Sequence, residues 1–81
     1  MRVTVCFYSY FKDLVGCAQL TEELPEGGTL DELFRKLSIC FPKLAAMERS
    51  TLMAVGVDYQ GRGYVLKAGD EVSFFPPVQG G

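Results

Sequence analysis

One segment of this chain has a marked start, a period and a stop, and every other segment has to be arranged around it. Thr29 is followed three residues later by Glu32, the capping box in which each side chain satisfies the other residue's free backbone N–H. Leu30, Leu33, Phe34, Leu37 and Phe41 then recur at helical spacing, while Asp31, Glu32, Arg35 and Lys36 fall on the opposite side. Pro42 ends the pattern, because proline lacks the N–H and its ring clashes with the preceding turn. Ahead of the helix, Pro25-Glu26-Gly27-Gly28 reads as a turn. The Leu and Phe stripe is core, and it needs an apolar sheet to lie on.

The flanking segments supply that sheet. Arg2 to Tyr8 alternates Val3, Val5 and Phe7 against Thr4, Cys6 and Tyr8, the period of two expected of a strand with one buried face. Tyr10 to Val15 loses the alternation and ends at Gly16, which suits a helical turn with a glycine cap, and Ala18 to Leu24 reads as a weaker second strand. Lys43 to Ser50 is compatible with a second short helix. Leu52 to Val57 reads as a buried strand, followed by a polar, glycine-punctuated turn from Asp58 to Gly63. A short extended piece at Tyr64 to Leu66, a tight turn at Lys67 to Asp70 and a final strand at Glu71 to Phe75 complete the order. With only one full helix to serve as a crossover, an alternating doubly wound fold is excluded. The fold class expected is α+β: a mixed sheet of four to five strands wrapped around one main helix, the β-grasp arrangement of ubiquitin-like domains. Residues 1–81 are read as a single domain with residues 76–81 projecting as a flexible tail.

Several function classes drop out on chemistry. A net charge of -2, with lysines and arginines scattered along the chain, lacks the basic patch that phosphate-backbone contacts require, so nucleic acid is not expected as a partner. No apolar run approaches the length of a membrane span and no export signal opens the chain, so a cytoplasmic protein is expected. Cys6, Cys17 and Cys40 lack the spacing of a redox or zinc motif, and no histidine is available to complete a metal set. They read as bland thiols of a reducing compartment; Cys17, beside Gly16 in a loop, is the alternative candidate for a reactive one. The absence of histidine also removes the side chain best suited to acid/base work at neutral pH. The adjacent carboxylates Glu22-Glu23, Asp31-Glu32 and Asp70-Glu71 diverge on any strand or helix and read as solvated surface charge. Gly27-Gly28-Thr29 fits no phosphate-loop pattern and is explained as a turn and cap.

What stays unusual is the end, Phe74-Phe75-Pro76-Pro77-Val78-Gln79-Gly80-Gly81. The diproline favours an extended, projecting path. Glycines can thread a narrow channel in backbone conformations closed to other residues and present an unhindered acyl group. The functional group implied is the main-chain carboxylate of Gly81.

These residues carry a family resemblance. Phe7, Leu14-Val15-Gly16, Thr29 to Leu33, Ala54-Val55 and above all the run from Gly69-Asp70-Glu71-Val72-Ser73 through Phe74-Phe75-Pro76-Pro77-Val78-Gln79-Gly80-Gly81 resemble the MoaD-type small subunits of molybdopterin synthase, within the ubiquitin-like sulfur carriers. The resemblance implies a carrier that is not itself catalytic and holds no permanent cofactor. An ATP-dependent activating enzyme adenylates Gly81, a sulfur donor converts the adenylate to a thiocarboxylate, and the tail, with Gln79 and Gly80, enters a large subunit. There it supplies sulfur to cyclic pyranopterin monophosphate for molybdenum cofactor biosynthesis, in a heterotetramer whose catalytic residues belong to the large subunit. Tyr8, Lys12, Tyr59, Phe75, Pro76, Pro77 and Val78 are the implied partner contacts. The chain departs from the family at Gly56, where asparagine is common, and in the glycine-rich loop after it, so a polar loop-fixing side chain is missing. Sulfur carriage for thiamine thiazole or transfer-RNA thiolation, conjugation to proteins as a ubiquitin-like modifier, and an inert interaction module are the alternatives.

Overall fold

The computed structural model describes residues 1–77. Five strands form one mixed sheet: β1 (Arg2–Phe7), β2 (Gln19–Glu23), β3 (Leu52–Val55), β4 (Asp58–Tyr59) and β5 (Glu71–Phe75), in the order β2-β1-β5-β3-β4. The first strand pairs antiparallel with β2 and parallel with β5, and β5 and β4 flank β3 antiparallel on either side. Parallel pairing of β1 with β5 demands a crossover, because two strands running the same way cannot be joined by a tight turn. The helix α2 (Leu30–Cys40) lies in that connection, so the capped helix and the mixed sheet are consequences of one another. The α+β, β-grasp architecture expected from the sequence is the one observed.

The capping box forms as read. Glu32 N–H donates to Thr29 Oγ1 at 3.2 Å, and Thr29 N–H donates to Glu32 Oε1 at 3.3 Å. Leu30, Leu33, Phe34 and Leu37 of α2 are buried against Val3, Val5 and Phe7 of β1, Val72 and Phe74 of β5, and Met53 and Val55 of β3. Phe74 is central: its ring meets Phe7 edge-on at 5.7 Å and Phe34 at 5.8 Å between centroids. Gly16, at φ 89°, closes the short helix α1 (Phe11–Val15) by donating its N–H to the Lys12 carbonyl at 2.7 Å, as the glycine cap predicted. Pro42 both stops α2 and opens a second short helix, α3 (Pro42–Ala45), where its missing N–H is no loss.

Two expectations need correction. The short strand is not Tyr64 to Leu66 but Asp58–Tyr59, inside the segment read as a polar turn. The ladder pairs Val55 with Asp58 and Ala54 with Tyr59, leaving Gly56-Val57 as a two-residue hairpin loop. Gly56 sits at φ 61°, the left-handed value that the first position of a type II′ turn demands and that glycine meets without strain. Residues 64–66 instead cross the start of α2: Leu30 N–H donates to the Tyr64 carbonyl at 3.0 Å and Leu66 N–H to the Gly28 carbonyl at 2.8 Å.

Asp31, read as solvated charge, is the second correction. Its carboxylate accepts from Arg35 one helical turn on at 2.7 Å and from Arg62 at 2.8 Å, and those two hydrogen bonds hold it below the usual carboxylate range. Arg62 lies over the Phe34 ring at 4.7 Å and reaches Glu48 at 3.5 Å, so one side chain ties the 60–66 loop to the helix.

Candidate functional site: the outer face of the sheet

Strand alternation builds two unlike faces. Since Val72 and Phe74 point at α2, their neighbours Ser73 and Phe75 point away; by the same rule Cys6 and Ala54 stand on the outer face. Tyr8 follows directly after β1 and continues its ladder, donating its N–H to the Phe74 carbonyl at 3.1 Å. Its ring meets Phe75 edge-on at 6.3 Å, and Tyr59 of β4 meets Phe75 from the other side at 5.4 Å. The cluster is open to solvent: Tyr8 is 50% exposed and Tyr59 66%. Aromatic side chains left half-bare carry large contact area at small entropic cost on docking, which is the composition of interface anchors.

Beside this cluster lies a depression of about 400 Å³. Its floor is Ala54 and Ser73, one side is the aromatic cluster, and the other is the hairpin tip Gly56-Val57. Val57, expected as the end of a buried strand Leu52 to Val57, is instead 96% exposed, because β3 stops at Val55 and Gly56-Val57 form the hairpin loop. At the hairpin tip Gly56 N–H donates to the Glu71 carbonyl at 2.9 Å, and Tyr59 pairs opposite Ala54 in the ladder.

Of the residues implied as partner contacts, Tyr8, Tyr59 and Phe75 are brought together, with Pro76 half-buried and Pro77 exposed as the chain leaves β5. Lys12 stands exposed on α1 with no ion-pair partner among the described residues. Val78, Gln79, Gly80 and Gly81 lie outside the described residues. Burial pushes the Cys6 thiol up, and the neighbouring Glu71 carboxylate adds to the effect, so this outer-face thiol stays protonated at neutral pH. Cys17 and Cys40 are free and exposed. Among the described residues no three His, Cys, Asp or Glu side chains are grouped to hold a metal ion, and no helix is long and apolar enough to cross a membrane. The outer face thus presents an exposed aromatic cluster at the end of β5, where Pro76 and Pro77 continue the chain.

Sheet order, crossover helix and bare outer face define a ubiquitin-like β-grasp domain. More particularly, the chain belongs to the ThiS family, whose model matches residues 5–81. It is similar to the molybdopterin synthase sulfur carrier subunit of Caenorhabditis briggsae, 31% identical over 83 residues, covering 100% of this chain and 99% of that one. A putative molybdopterin converting factor subunit 1 from Pyrococcus furiosus has a solved structure that superposes with a TM-score of 0.84 at 27% identity, covering 96% of this chain and 99% of that one. The fold is also shared, at a TM-score of 0.71, 24% identity and 100% coverage of both chains, with a chain of a solved complex between subunits 1 and 2 of the molybdopterin-converting factor of Helicobacter pylori.

Proposed function

We propose that this chain is the sulfur carrier subunit of a molybdopterin synthase. The observation that carries the reading is similarity along the whole chain to relatives named for that role. The aromatic outer face supports it, because it provides a docking surface at the root of the tail. In the reaction, the Gly81 carboxylate attacks the α-phosphate of ATP on an activating enzyme, forming an acyl adenylate and releasing pyrophosphate. A sulfide-level sulfur nucleophile supplied by a donor then attacks the acyl carbon, forming the C–S bond as the C–O bond to AMP breaks, and leaves a thiocarboxylate at Gly81. Docked on the large subunit through Tyr8, Tyr59, Phe75, Pro76 and Pro77, with Val78, Gln79 and Gly80 leading inward, the tail delivers that sulfur to cyclic pyranopterin monophosphate. Two carriers and two large subunits make the working assembly, in the cytoplasm.

A carrier of this kind needs no acid/base set of its own, which accords with a chain that contains no histidine. The test is reconstitution. Chain bearing a synthetic Gly81 thiocarboxylate, mixed with the molybdopterin synthase large subunit from the same genome, converts cyclic pyranopterin monophosphate to molybdopterin, whereas unmodified chain does not. No product from the thiocarboxylate form, together with recovery of a thiazole synthase as the bound partner, would assign the sulfur to a different pathway.

A further inference from the structure

Strand β4 is too short to hold its own place. Its ladder with β3 is Ala54–Tyr59 and Val55–Asp58, extended by Gln60 N–H donating to the Met53 carbonyl at 3.0 Å, and it forms the edge of the sheet. A hairpin of that size is marginal in water without further support. Gly56, Gly61 and Gly63 bring no side chain to fix the segment, and a Cβ built at any of them meets no atom within 4 Å. The backbone bond from Gly56 to Glu71 secures the tip, whereas the far end is secured by Arg62. Arg62 Nε donates to Asp31 Oδ1 at 2.8 Å, and its Nη1 lies 3.5 Å from Glu48 Oε2. The guanidinium covers the Phe34 ring at 4.7 Å, and the Arg62 carbonyl accepts from Asp31 N–H at 2.9 Å. These anchor points are themselves fixed: Phe34 is 1% exposed in the core, and Arg35 holds the other Asp31 oxygen at 2.7 Å. A single half-solvated ion pair contributes little. A planar guanidinium that bridges two carboxylates while lying on a ring does more, and a lysine ammonium cannot copy it.

We infer that Arg62 is a positioning residue, a clasp that holds the far end of the β4 hairpin to α2 and so keeps Tyr59 against Phe75. Tyr59 lies three residues before Arg62, is 66% exposed, and meets the Phe75 ring at 5.4 Å. With the clasp released, the short ladder has to offset the conformational entropy of a glycine-rich segment, and the open hairpin becomes the major form. The inference rests on the carrier reading, in which Tyr59 belongs to the surface that engages the large subunit, and adds the residue that presents it. Only the closed hairpin presents Tyr59, so apparent affinity falls by the factor by which the closed fraction falls.

The experiment joins proton NMR of the full chain to synthase kinetics with the thiocarboxylated chain and the large subunit from the same genome. In Arg62→Gln, nuclear Overhauser contacts between the Tyr59 and Phe75 rings weaken about threefold, while those between Tyr8 and Phe75 keep their wild-type intensity. The KM for the carrier rises by the same factor, about threefold, and kcat stays at the wild-type value because the tail is untouched. Arg62→Lys, which keeps the charge without the fork or the flat face, recovers less than about half of the lost ring contact, and keeps the test open should Arg62→Gln not fold. A lowered unfolding midpoint with wild-type Tyr59–Phe75 contacts would make Arg62 a stability residue alone and overturn the inference, as would an unchanged KM or full recovery by lysine. If the wild-type chain gives no product while Arg62→Gln still loses the ring contact, the clasp stands and the carrier reading falls.

Discussion

Phe74 and Phe75 are neighbours in one strand with opposite duties, and exchanging each for alanine separates the two faces of the sheet. Phe74 is 0% exposed and packs against Phe7 and Phe34, so Phe74→Ala opens a cavity at the junction of sheet and helix. Such truncations cost about 3–5 kcal/mol. A chain of 81 residues has about 4–12 kcal/mol in total, so the variant is left marginal or unfolded. Phe75 touches Tyr8 and Tyr59 on a face open to water, and losing two half-solvated aromatic contacts costs about 1–2 kcal/mol. Binding reverses the order: Phe75→Ala removes the middle of the docking cluster and weakens the large-subunit complex about thirtyfold. Urea unfolding followed by circular dichroism reads the first quantity and calorimetry the second. Equal destabilisation by the two variants, or wild-type affinity in Phe75→Ala, would refute the two-face reasoning.

Thr29→Ala removes the side-chain acceptor of the capping box and lowers unfolding stability by about 1 kcal/mol, measured by urea denaturation, with large-subunit affinity unchanged because the cap lies away from the outer face. Asp31 binds its proton more weakly in the folded chain than in the unfolded one, because Arg35 and Arg62 favour its ionised form. Its stabilising contribution is therefore full above the unfolded carboxylate pKa and is lost as pH falls through the lower folded value. Asp31→Asn flattens that acid limb in a pH series of thermal unfolding midpoints; an unchanged acid limb would show that the Arg62 tie contributes nothing.

How far the sequence could be read follows from which interactions are local. The alternation in β1 and the capped stripe of α2 depend on near neighbours, so strand, helix and core were legible before the structure. Strand β4 was not, because two residues cannot display a period and three nearby glycines mimic an irregular loop. The Asp31–Arg62 contact spans 31 positions and depends on the path of the 60–66 loop, which no local pattern encodes. Ser73 is buried beside Cys6 and Ala54 in the sheet, partners set only by the order of strands and not by any local pattern. On the outer face, Tyr8, Tyr59 and Phe75 were named through family resemblance, and the structure adds that they meet across three strands' ends with Val57 beside them.

The central claim is chemical and concerns one atom at Gly81. Intact-mass spectrometry of the chain after incubation with ATP, its activating enzyme and a sulfur donor tests it directly. The account predicts a gain equal to the difference between sulfur and oxygen, located at the last residue and abolished when Gly81 is deleted, although the deletion leaves the unfolding midpoint unchanged. A chain whose mass is unaltered under conditions that thiocarboxylate a known carrier, or a mass gain that survives loss of Gly81, would contradict it.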